Sequence, residues 1–275
     1  MFGVSLAPQP PQSAPRSPTG AGRYMLYELK FSLGAGDRQI IRSVLAALGL
    51  AIRGEGQFLF ATGPKLDAMT QGGDAHAFGA RIVARLCELR IHDPTLVIDI
   101  ALDSVIQHGA GSLYGTISTT TRLTGVLATG QVGTITASVS NESAEAKAAR
   151  EAEERRLEYE RRERLAIAHV VAPVQSPDAA MVEQLMQMDL SPTTIYNIIE
   201  VIEEEGSIPV RDLATEKQWK RCKRSMCHFE AVGYGARHVA TTEEPPPNPM
   251  RLREAREFIS SVALTWLEKK AGLRA

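Results

Sequence analysis

Residues 24–33 alternate between two faces, with Leu26, Glu28, Lys30 and Ser32 on one face and Met25, Tyr27, Leu29, Phe31 and Leu33 on the other. A period of two is typical of a strand with one buried face. The triplet Glu28-Leu29-Lys30 is similar to the last part of a metal-dependent nuclease signature, but no acidic residue precedes it in the region that we expect to fold. We therefore interpret both charges as the solvent-facing side of a strand.

Helical and extended patterns then alternate along the chain. Asp37 is a candidate N-cap for a helix that ends near Gly49, because apolar residues recur between them at helical spacing. A strand near Phe58–Ala61, a helix over about Ala75–Leu89 and a β-branched, apolar strand at Thr95–Leu102 follow. This alternation predicts β-α-β steps and a mixed sheet.

Two further segments are rich in Thr and β-branched residues. Leu113–Thr124 and Gly130–Ser140 are separated by a turn that contains glycine, which predicts a hairpin appended to the sheet. The fold class that we predict is therefore α+β.

Glu and Arg dominate the next segment, from Ser143 to about His169. Many of them stand four residues apart, as in Glu158–Arg162 and Glu160–Arg164, and each such pair stabilises an exposed helix by a few tenths of a kcal/mol. A helix of this length would extend about 40 Å. The apolar residues make no sustained heptad seam, so the pattern favours a connecting helix over a long coiled coil.

The last part of the chain has an amphipathic pattern. Prolines dominate residues 245–249, which must be extended, and apolar residues over 251–271 then fall on one helical stripe. Such a stripe needs a packing surface. The chain itself is the default surface, and self-association or another protein partner through residues 251–271 is the alternative.

Composition narrows the class of protein. With 275 residues, 44% of them apolar, the chain can bury a substantial core, and no stretch approaches the roughly 18 to 20 apolar residues that span a membrane. The N-terminal prolines do not fit a signal peptide. Three cysteines argue against a disulfide framework and for a reducing compartment, so we expect a cytoplasmic protein that does not bind membranes.

Charge is distributed unevenly in the C-terminal third. Residues 171–206 contain seven acidic and no basic residues, whereas 207–240 contain seven basic and three acidic residues. Lys and Arg that approach phosphates release counterions, so the basic segment is a candidate nucleic-acid contact. Two alternatives are neutralisation by the acidic run Glu203-Glu204-Glu205 and an ordinary solvated helix face.

The same segment has a recognisable order of elements. Ser191-Pro192 can begin a helix that stops at Gly206. Ile208–Ala214 can supply an extended residue and a small helix, and a third helical face follows and ends at Gly233. Tyr234–Thr242 is suited to a strand or a small hairpin. In spacing, this order resembles the winged helix-turn-helix family.

That resemblance implies a mode of binding. In the family the third helix usually enters the DNA major groove. No Asn, Gln or Ser cluster is present for base readout, so we expect contacts mainly with the phosphate backbone. Carried over by position, the candidate nucleic-acid-binding residues are Lys217, Lys220, Arg221, Lys223 and Arg224 on or near the helix, with Arg237 and His238 in the wing.

These boundaries divide the chain into five parts. They are a disordered Pro-rich arm (1–22), an α+β domain with a mixed sheet (23–140), a charged connecting helix (141–172), a winged-helix-like helical domain (173–244), and a Pro-rich linker with an amphipathic helix (245–275).

Metal-ligand residue types occur without metal-site spacing. Cys222, Cys227, His228 and His238 lack the close ligand pairs of a structural zinc site, and we interpret Cys222 as a core residue. The remaining histidines are scattered along the chain, at positions 76, 92, 108 and 169.

Two acidic residues, Asp99 and Asp103, lie four positions apart. Asp99 and Asp103 would share one face of the predicted strand, where two carboxylates could hold Mg²⁺. No third ligand is near in sequence, so a plain strand end is the alternative. We predict no cofactor.

No constellation of nucleophile, base and orienting residue is recognisable, so the sequence favours binding over catalysis. The leading hypothesis is a non-enzymatic protein whose winged-helix-like unit contacts nucleic acid. The alternative is a scaffold that self-assembles or binds protein partners through its sheet domain and C-terminal helix.

Overall fold

The computed structural model describes residues 26–54, 56–108, 116–118, 144–237 and 246–273. The strands in this part of the chain are β1 (Leu26–Leu33), β2 (Ala51–Arg53), β3 (Phe58–Thr62), β4 (Ile100–His108) and β5 (Thr116–Ser118). The helices are α1 (Arg38–Ala47), α2 (Pro64–Asp67), α3 (Gly72–His92), α4 (Ala144–Gln175), α5 (Pro177–Met186), α6 (Pro192–Glu205), α7 (Glu216–Cys227), α8 (Phe229–Val232) and α9 (Leu252–Lys270). None of these helices is both long enough and apolar enough to cross a membrane.

The sheet has the order β2-β3-β1-β4-β5, and each pairing of described strands is antiparallel. The α+β class is confirmed, but the prediction of a mixed sheet was wrong for these strands. Both β1-α1-β2 and β3-α3-β4 are β-α-β steps whose two strands run in the same direction. One antiparallel strand lies between the two in each case, so parallel neighbours do not arise. This is the split β-α-β order of ferredoxin-like topology.

The alternation in β1 is confirmed. Tyr27, Leu29, Phe31 and Leu33 are buried, and they form the contribution of β1 to a core that the sheet shares with α1 and α3. The predicted polar face has one exception, because Glu28 is also buried. Strand β1 therefore contributes one buried carboxylate, that of Glu28.

The strand predicted at Thr95–Leu102 begins at Ile100 instead and runs to His108. Asp93 holds the start of the preceding loop by accepting hydrogen bonds from the Thr95 amide and hydroxyl groups. Asp37 does not bond the first turn of α1 with its side chain, as a capping residue would; its Oδ2 accepts from the Val97 amide at 2.8 Å. The side chains of Asp37 and Asp93 therefore hold this segment as a loop, although its apolar pattern predicted a strand.

Helix α4 differs from the predicted exposed connector. Its first half carries ion pairs within one helix, including the expected Glu158–Arg162 pair, whereas Arg164 bonds Glu268 of α9 rather than Glu160. The helix continues through Pro173 to Gln175. Its second half is buried, and it contributes to two cores at once.

Those two cores use opposite faces of α4. Ile167, Val170 and Val171 pack with the sheet, α1 and α3, whereas Ala168 and Ala172 pack with α5, α6, α7 and α9. The alanines allow the second group of helices to approach closely. Helix α4 therefore lies between the sheet and the C-terminal helices and packs against both.

The C-terminal helices follow the predicted order in part. Ser191 caps α6 by accepting from the Thr194 amide, and Gly206 ends it with a φ of 65°, as expected. The small helix is a 3-10 turn at Val210–Asp212, and Gly233–Gly235 forms another 3-10 turn at the start of the predicted β segment. Residues 238–242 of that segment, most of the predicted hairpin and the Pro-rich arm lie outside the described residues.

The amphipathic C-terminal helix is confirmed as α9. Its apolar stripe packs on this chain's own α4 and α6, which was the default expectation. The stripe is completely covered at its centre: Ala255, Ile259, Ala263, Trp266 and Leu267 are all fully buried. A partner that binds residues 251–271 would have to use the other face of the helix.

Candidate functional site

Helix α7 is held in one rotational position by its buried face. Thr215 caps its start by accepting from the Gln218 amide, and Trp219, Cys222 and Met226 are buried at helical spacing. The Trp219 indole donates to Glu203 of α6 at 2.7 Å. Because this face is fixed against α6 and α9, the opposite face of α7 is turned to solvent.

Four of the predicted residues lie together on that outer face. Lys217, Lys220, Arg221 and Arg224 stand at positions i, i+3, i+4 and i+7, which form one stripe of a helix. They line one side of an open groove of about 940 Å³, and residues 246–251 form the other side.

The groove has an excess of positive charge. Arg251 adds a fifth base to the lining, and the lining acids are Glu230 and Glu254, so the formal excess is three positive charges. Pro246, Pro247 and Pro249 make up most of the uncharged wall. Proline fixes φ and has no amide hydrogen, so this wall has a restricted shape.

Arg221 joins the two sides of the groove. Its Nε donates to the Asn248 carbonyl oxygen at 2.5 Å, and its Nη1 and Nη2 donate to the Glu254 carboxylate at 2.7 and 3.1 Å. A bidentate pair of this kind fixes geometry as well as charge. Arg221 therefore has a structural role as well as a place in the lining.

The other lysines and arginines of the stripe reach further into solvent. Lys217, Lys220 and Arg224 are exposed. Lys220 contacts Glu216 one turn earlier at 2.6 Å, with 69% of the lysine and 75% of the glutamate side chain exposed. Solvent screens an ion pair this exposed and makes it weak, so a competing anion can replace the glutamate on the lysine.

The structure separates Lys223 and Arg237 from this stripe. Both approach the ring of Tyr196 on α6, and their charges are met by Glu203 and Glu200. Burial opposes the charge on Lys223, yet its hydrogen bond to Glu203 is strong enough to raise the pKa above the ordinary value. The suspected neutralisation by the acidic run thus applies to Lys223. His238 lies outside the described residues.

The sites that the sequence disfavoured also have structural explanations. Cys222 is a fully buried core residue, as predicted, and burial raises the pKa of its thiol to about 12. Asp103 is the extra residue of a bulge opposite Lys30 and Phe31, and it bonds Lys30 at 2.8 Å. Asp99 precedes β4, so the two carboxylates do not share a strand face.

The interpretation of Glu28 as a solvent-facing charge was wrong. Its carboxylate accepts hydrogen bonds from Nε and Nη2 of Arg53, at 2.8 and 2.7 Å, and lies 3.3 Å from Nε2 of His108. Burial alone would raise its pKa, but these hydrogen bonds outweigh burial and lower the pKa below 4.5. The residue is a buried ionic link between β1, β2 and β4.

One cluster was missed by the sequence reasoning. His92 at the end of α3, His169 in α4 and Glu183 in α5 meet where these three helices pack. His92 Nε2 lies 2.5 Å from Glu183 Oε1, and His169 Nδ1 lies 2.6 Å from Glu183 Oε2. The sequence separates His92 from Glu183 by 91 residues, so only the packing of the helices could reveal the cluster.

The carboxylate of this cluster is deeply buried, with 1% of its side chain exposed. Burial opposes its ionisation, yet the hydrogen bonds from His169 and His92 prevail and lower its pKa to about 2. The two imidazole rings stack with their centroids 3.8 Å apart. Both rings therefore direct nitrogen atoms at one buried anion.

No family model, no curated protein and no solved structure matches this chain.

Proposed function

We propose that the protein binds nucleic acid through its phosphate backbone, in the groove between α7 and residues 246–251. The observation that carries this proposal is the excess of three positive charges in one open groove. Phosphates that enter such a groove release counterions, which favours binding without reading the base sequence.

The side chains on the stripe are suited to this exchange of partners. Lys217, Lys220 and Arg224 are exposed on one helix face. The pair of Lys220 with Glu216 is exposed and weak, so a phosphate oxygen can displace the carboxylate and form a charge-assisted contact in its place. Arg221 and its partners keep the groove open while the other three contact the ligand.

The arrangement of α6, a short turn and α7 also supports the winged-helix-like interpretation. Helix α7 takes the place of the third helix of that family, and its outer stripe is the part that a nucleic acid would meet. Lys223 and Arg237, which bond acids of α6, are excluded from the contact that we propose. The proposed surface is therefore narrower than the one that the sequence predicted.

The test is fluorescence anisotropy with labelled single-stranded and duplex DNA and RNA. The groove variant combines Lys217→Ala, Lys220→Ala and Arg224→Ala. It keeps Arg221, because the bonds of Arg221 to Asn248 and Glu254 join the two sides of the groove. The matched control removes three exposed bases from α4 by Lys147→Ala, Arg150→Ala and Arg155→Ala. Both variants lose the same formal charge.

Wild-type and control proteins should bind with similar affinity. The groove variant should bind more weakly by a factor of at least about 40 at 0.1–0.2 M salt, because it loses the whole charge excess. Equal losses in the two variants would mean that net charge alone drives binding. No binding by the wild-type protein at low salt would overturn the proposal and leave the scaffold alternative, which concentration-dependent sedimentation would then test.

A further inference from the structure

We propose that His92, His169 and Glu183 form a binding site for one divalent transition-metal ion of the zinc class. The site is separate from the groove on α7, and neither proposal depends on the other. Three elements contribute one ligand each: α3, α4 and α5.

The set of donor atoms fits this class of ion. Two imidazole nitrogens and one carboxylate oxygen are a common set of three protein ligands for Zn²⁺ when a fourth position is left for water. Here the candidate donor atoms all lie within 4.8 Å of one another. Mg²⁺ and Ca²⁺, in contrast, prefer oxygen ligands, so the two imidazoles select against them.

The distances require only a small adjustment. Metal bonds of about 2.0–2.2 Å at tetrahedral angles place neighbouring donor atoms roughly 3.4 Å apart. The nitrogen atoms of His92 and His169 now lie 2.5 and 2.6 Å from the Glu183 oxygens. Each of these two nitrogen–oxygen pairs would open by less than about 1 Å, and donor atoms that now lie up to 4.8 Å apart would close by up to about 1.4 Å. Rotation about side-chain bonds can supply both changes.

The surroundings give the site both support and access. Gln187, one turn after Glu183, donates to Glu183 Oε1 at 3.2 Å and orients the carboxylate. His169 and Glu183 are buried, whereas 15% of the His92 side chain is exposed. An ion would therefore enter from the side of His92, and that side would hold the remaining water ligand.

The position of the cluster indicates what the ion would do. Helix α3 belongs to the sheet core, α5 belongs to the C-terminal core, and α4 contributes to both. A metal bound by all three helices would join the two cores where they meet. It would also supply positive charge to a buried carboxylate whose partners in this structure are two imidazoles and the Gln187 amide.

The test uses untagged full-length protein that has been treated with a chelator and then titrated with Zn²⁺ in a calorimeter. Co²⁺ serves as a second probe, because its visible absorption reports the number and type of its ligands. The variants are His92→Ala and His169→Ala. The control is His76→Ala, on the same helix as His92 but about 24 Å along it.

The wild-type protein and His76→Ala should each bind one equivalent of Zn²⁺ with the same affinity. His92→Ala and His169→Ala should bind it more than about a hundredfold more weakly and should lose the visible Co²⁺ spectrum. His92 is partly exposed, so His92→Ala gives the answer even if His169→Ala does not fold; circular dichroism checks both.

Two results would overturn this site. One is the absence of saturable Zn²⁺ binding by the wild-type protein, which needs no variant. The other is unchanged affinity in a folded His92→Ala variant. Either would assign the cluster to a hydrogen-bonded link between the helices.

Discussion

Arg221 and Glu254 form a bidentate ion pair that joins α7 to α9, with N–O distances of 2.7 and 3.1 Å. The pair borders the groove, so the glutamate offsets part of the positive charge that we propose to bind phosphates. This contact at the groove therefore also limits its charge.

Removing that offset should strengthen binding. Glu254→Gln keeps the shape of the side chain and one acceptor oxygen for Arg221, gives up the second of the two bonds, and raises the groove's formal charge excess by one. Arg221 keeps its bond to the Asn248 carbonyl oxygen, which still joins the two sides of the groove. One further phosphate neutralised at about 0.1 M salt is worth up to about an eightfold gain in affinity for duplex DNA. Anisotropy titration measures the gain, and Glu257→Gln, further along α9, is the control. Weaker or unchanged binding in Glu254→Gln alone would argue against the groove.

The buried Glu28 should make stability depend on acid pH. Because its pKa in the folded protein lies below 4.5, the ionised carboxylate stabilises the fold above about pH 4.5. That contribution is lost as the pH falls through the folded pKa. Glu28→Gln should cost about 1.5–3 kcal/mol at neutral pH, and its deficit relative to wild type should shrink in acid.

Urea unfolding between about pH 7 and pH 3 measures this dependence for Glu28. Exposed Glu204 provides the matched control, and Glu204→Gln should follow the wild-type curve at each pH. A constant difference between wild type and Glu28→Gln across the whole range would contradict the role of the carboxylate charge.

Trp266 should show separate effects of volume and polarity. Its ring is fully buried in the core shared by α4, α6 and α9, and its indole N–H has no hydrogen-bond partner among the described residues. Trp266→Ala should cost about 3–5 kcal/mol. Trp266→Phe removes the unpaired donor and keeps most of the apolar volume, so it should retain at least about 2 kcal/mol of that stability.

Unfolding of both Trp266 variants can be followed through the fluorescence of Trp219, the other tryptophan. Equal destabilisation by Phe and Ala would indicate that the indole nitrogen has a partner in solution, such as a bound water.

The thiol of Cys222 should be unreactive in the folded protein. Burial raises its pKa to about 12, so almost no thiolate is present at pH 8. Iodoacetamide labelling followed by peptide mass spectrometry should modify Cys222 in urea but not in native buffer. Labelling of native Cys222 as rapidly as of the half-buried Cys227 would contradict the packing of α7.

The sequence predicted the parts of the fold that are set by residues close together in the chain. The alternation in β1 sets its buried face, and Ser191 and Gly206 set the ends of α6. The region around Thr95 was mispredicted because an apolar, β-branched run has the same appearance in a strand and in a loop that side chains hold in place. The bond from Asp93 to Thr95 is local, but the bond from the Val97 amide to Asp37 joins residues 60 positions apart, and the sequence does not show it.

The candidate site was predictable to a similar extent. The spacing of Lys217, Lys220, Arg221 and Arg224 already places them on one helix face, and the same spacing rule excludes Lys223. The opposite side of the groove could not be predicted, because it is formed by residues 246–251. Bonds from Arg221 to Asn248 and from Met250 to Ser225 hold that segment against α7.

The most direct test of the groove is the slope of log affinity against log salt concentration for duplex DNA. A charge excess of three predicts a slope near −2.7 for the wild-type protein and for the α4 control variant. The variant that lacks Lys217, Lys220 and Arg224 should give a slope near zero. A wild-type slope that stays the same in this folded variant would contradict the proposal that nucleic acid binds in this groove.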